Sequence, residues 1–217
     1  MVVLGLTGSI GMGKSVAAEM FAREGAAVFD ADAAVHLLIG PGGAAVADVE
    51  AAFPGSARLS PMGREIDRAT LAERVLSDAG ATARLETVLH PRVREAERRF
   101  LSAARRRRQR LAVLDIPLLF ETGGERRCDA VAVVFAPAFL QARRVLARPG
   151  MTPERLAAVR ARQMADCEKL RRADFVISTG LGRAATLRRV RRIVSMLIEY
   201  PDCGPPGWTH PPTPAAA

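Results

Sequence analysis

Residues Gly8 to Ser15 read GSIGMGKS and fit the pattern G-x-x-x-x-G-K-[ST] at every fixed position. This spacing serves phosphate binding. Glycines at Gly8, Gly11 and Gly13 let the backbone curl, so that N–H groups from Gly8 to Met12 and on to Val16 turn toward phosphate oxygens. The helix that follows adds the positive end of its dipole. Lys14 reaches the β- and γ-phosphates, and the Ser15 hydroxyl holds Mg²⁺. The segment predicts a nucleoside triphosphate site. Guanine-reading switch proteins are excluded, because their Asn-Lys-x-Asp element needs asparagine and the chain has none. Asp115, at the end of LAVLD, is the candidate acid for assisting the metal through water; the alternative is a strand-terminal Asp that binds its own turn. A second pair of acids stands in FDAD, at Asp30 and Asp32. In an extended chain they point the same way, where they could orient or deprotonate an attacking hydroxyl. The competing reading of Asp32 is an N-cap for a helix beginning at Ala33.

These residues need rigid elements to position them. Nearly continuous apolar runs predict buried strands at Val2–Thr7, Ala27–Asp30, Leu111–Ile116, Ala130–Ala136 and Asp174–Ser178. Helical patterns alternate with them, beginning at about Ser15 to Glu24, with Val16, Met20 and Phe21 on one face and Gly25 as the stop. The fold class is therefore α/β, a parallel sheet of five strands flanked by helices. Two stretches break the rhythm. From about 33 to 89 the pattern is helical with no convincing strand, and turns fall near Pro41–Gly43, Pro54–Gly55 and Pro61–Gly63. From 145 to 172 a turn at Pro149–Gly150 precedes a helix capped by Thr152, with Pro153 at its first position. The division expected is a core of 1–32, 90–144 and 173–200, an insertion at 33–89 and a lid at 145–172. Six prolines in the last seventeen residues, 201–217, predict a disordered tail.

Composition narrows the class further. The chain has 217 residues, 49% of them hydrophobic and 25% charged, enough for one buried core. The longest apolar run, Ala130 to Leu140, is far short of a membrane span of about 20 residues, and the start MVVLGLTG has no basic region before its apolar stretch, so no signal peptide is expected. Three cysteines without metal-like spacing predict reduced thiols and a cytoplasmic protein. The net charge is +9, yet 30 of the 32 basic residues are arginine. They are spread along helices and aromatic residues are few, which argues against nucleic acid as partner. The run Arg105–Arg108 suits the C-terminal end of a helix.

Five segments in order, GLTGSIGMGKS (Gly5–Ser15), FDAD (Phe29–Asp32), LHPRVR (Leu89–Arg94), DIPLLFE (Asp115–Glu121) and EKLRRADFVI (Glu168–Ile177), resemble the dephospho-coenzyme A kinase family. The resemblance covers roughly residues 2 to 200. It implies a P-loop kinase fold with a helical coenzyme-binding insertion and a helical lid. It also implies a reaction in which ATP, with Mg²⁺, phosphorylates the ribose 3′-hydroxyl of dephospho-coenzyme A. By the same resemblance Asp32 is the general base, with Asp30 as a pocket acid. Thr7, Gly8 and Lys14 belong to the phosphate segment, and His90, Arg94, Leu118, Leu119 and Glu121 to the acceptor side. Arg148 and Arg162 are lid arginines that clamp phosphates. The alternatives are another P-loop kinase of a small molecule, such as a nucleoside or nucleotide, and an arginine-rich nucleic-acid-binding protein that holds ATP. Ser178 and Thr179 depart from the family, which often has Asp-Asn before the late glycine, so side-chain contacts to adenine are not implied there.

Overall fold

A computed structural model describes residues 1–77 and 80–199; the expected tail, with Cys203, lies outside the described residues. The chain forms two compact units, one of residues 1–29 and those from 104 onward, the other of residues 30–103. The first opens with β1 (Val2–Thr7), α1 (Lys14–Arg23) and β2 (Ala27–Asp30). The second holds α2 (Ala31–Ile39), α3 (Val46–Ala52), β3 (Ala57–Ser60), β4 (Gly63–Ile66), α4 (Arg68–Ser77) and most of α5 (Ala81–Arg106). The first then resumes with β5 (Leu111–Asp115), β6 (Ala130–Phe135), α6 (Ala138–Leu146), α7 (Pro153–Ala161), α8 (Asp166–Arg171), β7 (Phe175–Ser178) and α9 (Arg183–Glu199).

The first unit is built on a five-stranded parallel sheet in the order β2-β5-β1-β6-β7. Each strand lies within one residue of its expected bounds. β1 is buried along its whole length, because it is the central strand and is covered on both faces. Leu4 and Leu6 meet Phe21 of α1 and Val190 and Ile193 of α9 in one core. Pairing sets Leu6 opposite Asp115 and Thr7 opposite Val133, so the ends of β1, β5 and β6 lie side by side. A loop leaving β1 thus emerges at the carboxyl edge of the sheet, where open α/β sheets bind ligands.

Two staggered strand starts are closed by the same device. The Asp129 carboxylate accepts from Val3 N at 2.7 Å, and Asp129 N donates to Val3 O at 2.8 Å. One strand over, the Asp174 carboxylate accepts from Val131 N at 2.7 Å, and Asp174 N donates to Val131 O at 3.0 Å. Each acid satisfies a backbone donor that the neighbouring strand begins too late to meet.

The second unit corrects one expectation. It contains a β-hairpin, β3 with β4, inside a stretch expected to be helical. The turn at Pro61–Gly63 was legible; the strands were not. Of their eight residues only Ile66 is buried, while Leu59 is 86% exposed, so no apolar alternation marks them. Polar contacts hold the hairpin instead. The Glu50 carboxylate accepts from Gly55 N and Ala57 N, which hold it below its ordinary value, and Arg58 pairs with Glu65 across the strands. α5 runs unbroken through Pro91 and ends near Arg105 and Arg106, as the basic run suggested. His90 therefore does not end a helix, and the second unit extends to residue 103 rather than 89.

Burial pushes the Asp174 carboxyl above its ordinary value, against the hydrogen bond from Val131 N that favours the anion. A raised carboxyl in the folded state contributes stability at acid pH, and that contribution is lost as pH rises through the folded value. Asp174→Asn keeps an acceptor for Val131 N and removes the buried charge. The variant is expected to melt higher than the parent at about pH 7, by up to ~4 °C, with the gain vanishing toward about pH 4. Circular-dichroism melts across that range check it.

Candidate active site

The loop between β1 and α1 takes the shape its glycines allow. Gly11 and Gly13 have φ of 77° and 90°, the left-handed region that favours glycine, and Gly13 stands at the N-cap of α1 without a side-chain cap. At Gly8 the constraint is space, since a Cβ would lie 2.7 Å from Val134 O. Met12 turns its side chain into the core, 1% exposed, where its sulfur accepts from Ala136 N. Only its backbone is left for a ligand.

Side chains from elsewhere in the first unit hold the loop's carbonyls. Gln141 Nε2 donates to Ile10 O at 2.8 Å and the Thr179 hydroxyl donates to Met12 O at 2.6 Å. Arg144 donates to Thr179 through both its oxygens at 2.9 Å and reaches Gly11 O at 3.5 Å. Thr7 is fully buried, and its hydroxyl donates to Pro117 O, tying the loop after β5 to β1.

Lys14 Nζ is ion-paired with Asp115 Oδ1, both side chains largely buried. Two residues singled out from the sequence, far apart in the chain, thus meet. Ser15 is exposed one residue into α1, beside Val16. Its hydroxyl and the Asp115 carboxylate are hard oxygen donors of the kind Mg²⁺ takes. Among the described residues no group of three or more His, Cys, Asp or Glu could hold a metal.

Glu121 and residues 145–172, the stretch expected to form a lid, also belong to the first unit. Glu121 Oε1 accepts from Met164 N at 2.7 Å and pairs with Lys169 at 3.0 Å. Thr152 caps α7 as expected, accepting from Arg155 N. Arg148 and Arg162 are both exposed, Arg162 at the C-cap of α7. Leu118 is partly exposed, whereas Leu119 is fully buried against Gly5 and Gly124. Leu119 is a core residue and supports the segment without lining its surface.

In the second unit, α2 begins at Ala31, not Ala33, and its N-cap is Asp30, which accepts from Ala33 N at 2.9 Å. The capping role weighed for Asp32 therefore falls to Asp30. Asp32 lies exposed in the first turn, two residues past the end of β2. His90 and Arg94 are one turn apart on α5 and so share a face.

A sequence profile of the dephospho-CoA kinase family matches residues 2–182. The chain belongs to that family. It is 58% identical over 207 residues to a dephospho-CoA kinase of Paramagnetospirillum magneticum, covering 95% of this chain and 96% of the relative. A Rhodospirillum rubrum dephospho-CoA kinase is 54% identical over 194 residues, covering 89% and 90%. Among solved structures, a Thermus thermophilus protein superposes with a TM-score of 0.75 at 34% identity, covering 89% of this chain and 95% of that one. An Acinetobacter baumannii shikimate kinase, at 15% identity and a TM-score of 0.51 over 92% and 94%, shares the fold. As a dephospho-CoA kinase the chain transfers phosphate from ATP to the ribose 3′-hydroxyl of dephospho-coenzyme A, giving coenzyme A and ADP, and is a P-loop transferase of coenzyme A biosynthesis. The nucleotide-kinase and nucleic-acid readings are not favoured.

Sequence reasoning missed the braces of the phosphate loop in this dephospho-CoA kinase. Arg144 is one of thirty arginines and Gln141 sits mid-helix, so neither type nor spacing marks them. Thr179 was visible only as a departure from the family, and it proves to carry the buried bond to Met12 O. Thr179→Val keeps the shape but takes the hydroxyl away from Met12 O and from one of the Arg144 nitrogens, while Arg144 keeps its bond to Thr179 O. It is expected to cost about 1–3 kcal/mol of stability and to weaken ATP binding, while Thr179→Ser retains both. Urea unfolding and calorimetric titration with ATP check it.

Proposed function

We propose the following assignment of roles in the kinase reaction. Lys14 exchanges Asp115 for the β- and γ-phosphates when ATP binds, with the N–H groups of Gly8, Gly11, Met12, Gly13, Ser15 and Val16 turned to the phosphates. The observation that supports this best is the Lys14–Asp115 pair at the mouth of the loop, a cation already held where a triphosphate would take it. Ser15 directly, and Asp115 through water, would hold Mg²⁺. That ion neutralises charge on the transferring phosphate when it is bound.

Asp32 orients the ribose 3′-hydroxyl and takes its proton as the oxygen attacks phosphorus and the bond to ADP breaks. Its exposed place in the first turn of α2, with Asp30 committed to the cap, supports this choice between the two acids. His90 and Arg94 bind the acceptor's anionic parts, and Leu118 contacts its apolar portion. Arg148 and Arg162 neutralise charge as the lid segment closes and excludes water. We further assign the enzyme to the cytoplasm; among the described residues no helix is long and apolar enough to cross a membrane.

Asp32→Asn is expected to bind both substrates about normally and to lose ~10²–10⁴-fold in kcat, whereas Asp30→Asn caps as well as Asp and stays near parental activity. The reverse pattern moves the base two residues back. Arg148→Ala is expected to lower kcat more than it weakens ATP binding, and a change in ATP affinity alone would make it a ground-state anchor. Excess chelator is expected to abolish turnover in a coupled ADP-release assay, and full activity there would remove the metal from the mechanism.

A further inference from the structure

Two lysines stand among 32 basic residues, and in a chain so biased to arginine each such position asks for a reason. Lys14 has one. Lys169 is fully buried, the only charged side chain besides Glu97 and Asp115 among the described residues classed as buried. Its Nζ lies 3.0 Å from Glu121 Oε1 and donates to Ser9 Oγ at 3.4 Å. Ser9 Oγ donates in turn to Asp166 Oδ1 at 2.6 Å, and Ile10 N donates to Gln163 Oε1 at 3.1 Å. Glu121 Oε1 also accepts from Met164 N at 2.7 Å, while its Oε2 is enclosed without a partner among the described residues.

Stability alone does not account for such a site. Removing an ammonium and a carboxylate from water costs several kcal/mol, and well-packed apolar residues of similar volume often serve a fold as well or better. What the pair achieves is a join. Lys169 meets Ser9 in the first half of the phosphate loop, and Glu121 meets Met164 N just past Arg162. Beside the pair, the direct bonds from Ser9 to Asp166 and from Ile10 N to Gln163 tie the same two segments together. A compact ammonium fits between one carboxylate oxygen and one hydroxyl; a planar guanidinium, with five donors and more volume, does not match so few acceptors.

We propose that Lys169, with Glu121 and Asp166, is a positioning clamp that holds the phosphate loop and the root of the lid segment in one geometry for phosphoryl transfer. The proposal rests on the reading of Gly8–Ser15 as the ATP phosphate site. The clamp touches no reacting atom. It acts by fixing the loop from which the phosphates are held, where a displacement of about 1 Å is enough to cost ~10²-fold in rate.

The test compares Lys169→Met, the double variant Lys169→Met/Glu121→Gln and Ser9→Ala with the parent, measuring melting temperature, ATP dissociation constant, kcat, both KM values and ATP hydrolysis without acceptor. Lys169→Met leaves Glu121 as a buried, unpaired anion, so it is expected to melt lower and to lose ~10²-fold in kcat. The double variant leaves no unpaired charge. Its melting temperature is expected to return to near the parent while kcat stays low, and hydrolysis without acceptor falls in parallel. Ser9→Ala loosens the join while keeping every charge; it is expected to melt a little below the parent but above Lys169→Met and to lower kcat, which keeps the test intact if Lys169→Met does not fold. Recovery of kcat together with melting temperature in the double variant makes the pair purely structural and overturns the proposal. So does parental kcat in Ser9→Ala, or a loss confined to the acceptor's KM. Lys14→Ala separates the premise from the proposal: substantial turnover there removes the phosphate-loop reading itself, whereas an inactive Lys14→Ala beside fully active clamp variants removes the clamp alone.

Discussion

A loop that binds phosphate with its own N–H groups must leave donors unspent, so it cannot hold its shape wholly by the hydrogen bonds that shape a helix or strand. The solution here is to hold it by its carbonyls. Ile10, Gly11 and Met12, three consecutive residues, each have a carbonyl oxygen met by a side-chain donor, from Gln141, Arg144 and Thr179 respectively. These braces come from α6 and from the residue after β7, and the sheet must bring both to the carboxyl end of β1. The burial of Met12 and the close approach of Gly8 to Val134 belong to the same design. Not every donor is left unspent: Met12 N donates to Ser9 O and Ile10 N to Gln163 Oε1, both at 3.1 Å, so the carbonyl braces share the task of shaping the loop.

The elements that could be read from the chain are those whose composition reflects burial on both faces. β1, β5 and β6 are almost wholly apolar, and a strand buried on both faces leaves no other solution to its sequence. Phosphate-binding residues were legible for a different reason. Their chemistry needs glycines and a lysine at fixed spacing, so the Gly8–Ser15 segment is local in sequence. The β3–β4 hairpin was illegible because it is held by Glu50 and by cross-strand charges rather than by an apolar face.

Asp30 and Asp32 show the limit of local reasoning more sharply. Both were assigned to the right turn, but which acid caps the helix depended on whether it begins at Ala31 or Ala33, a shift of two residues that patterns do not resolve. The braces Gln141, Arg144 and Thr179, and the partners of Lys169, were out of reach altogether. The loop carbonyls that the braces meet, and Ser9 beside Lys169, lie more than 100 residues from them in sequence, and nothing in residue type reports such a distance.

The central place of β1 in its sheet has a consequence for how the protein is made. The strand leaves the ribosome before either of its two partners, β5 and β6, and the second of them ends at Phe135. Contacts of such high sequence separation form late and slow folding. Until more than half of the chain has been synthesised, Val2–Thr7 is an apolar edge without a mate, the kind of segment on which chaperones act and aggregates nucleate. The loop that follows it waits longer still, because its last brace is Thr179. A segment translated ahead of all its partners is therefore among the last to become competent for nucleotide.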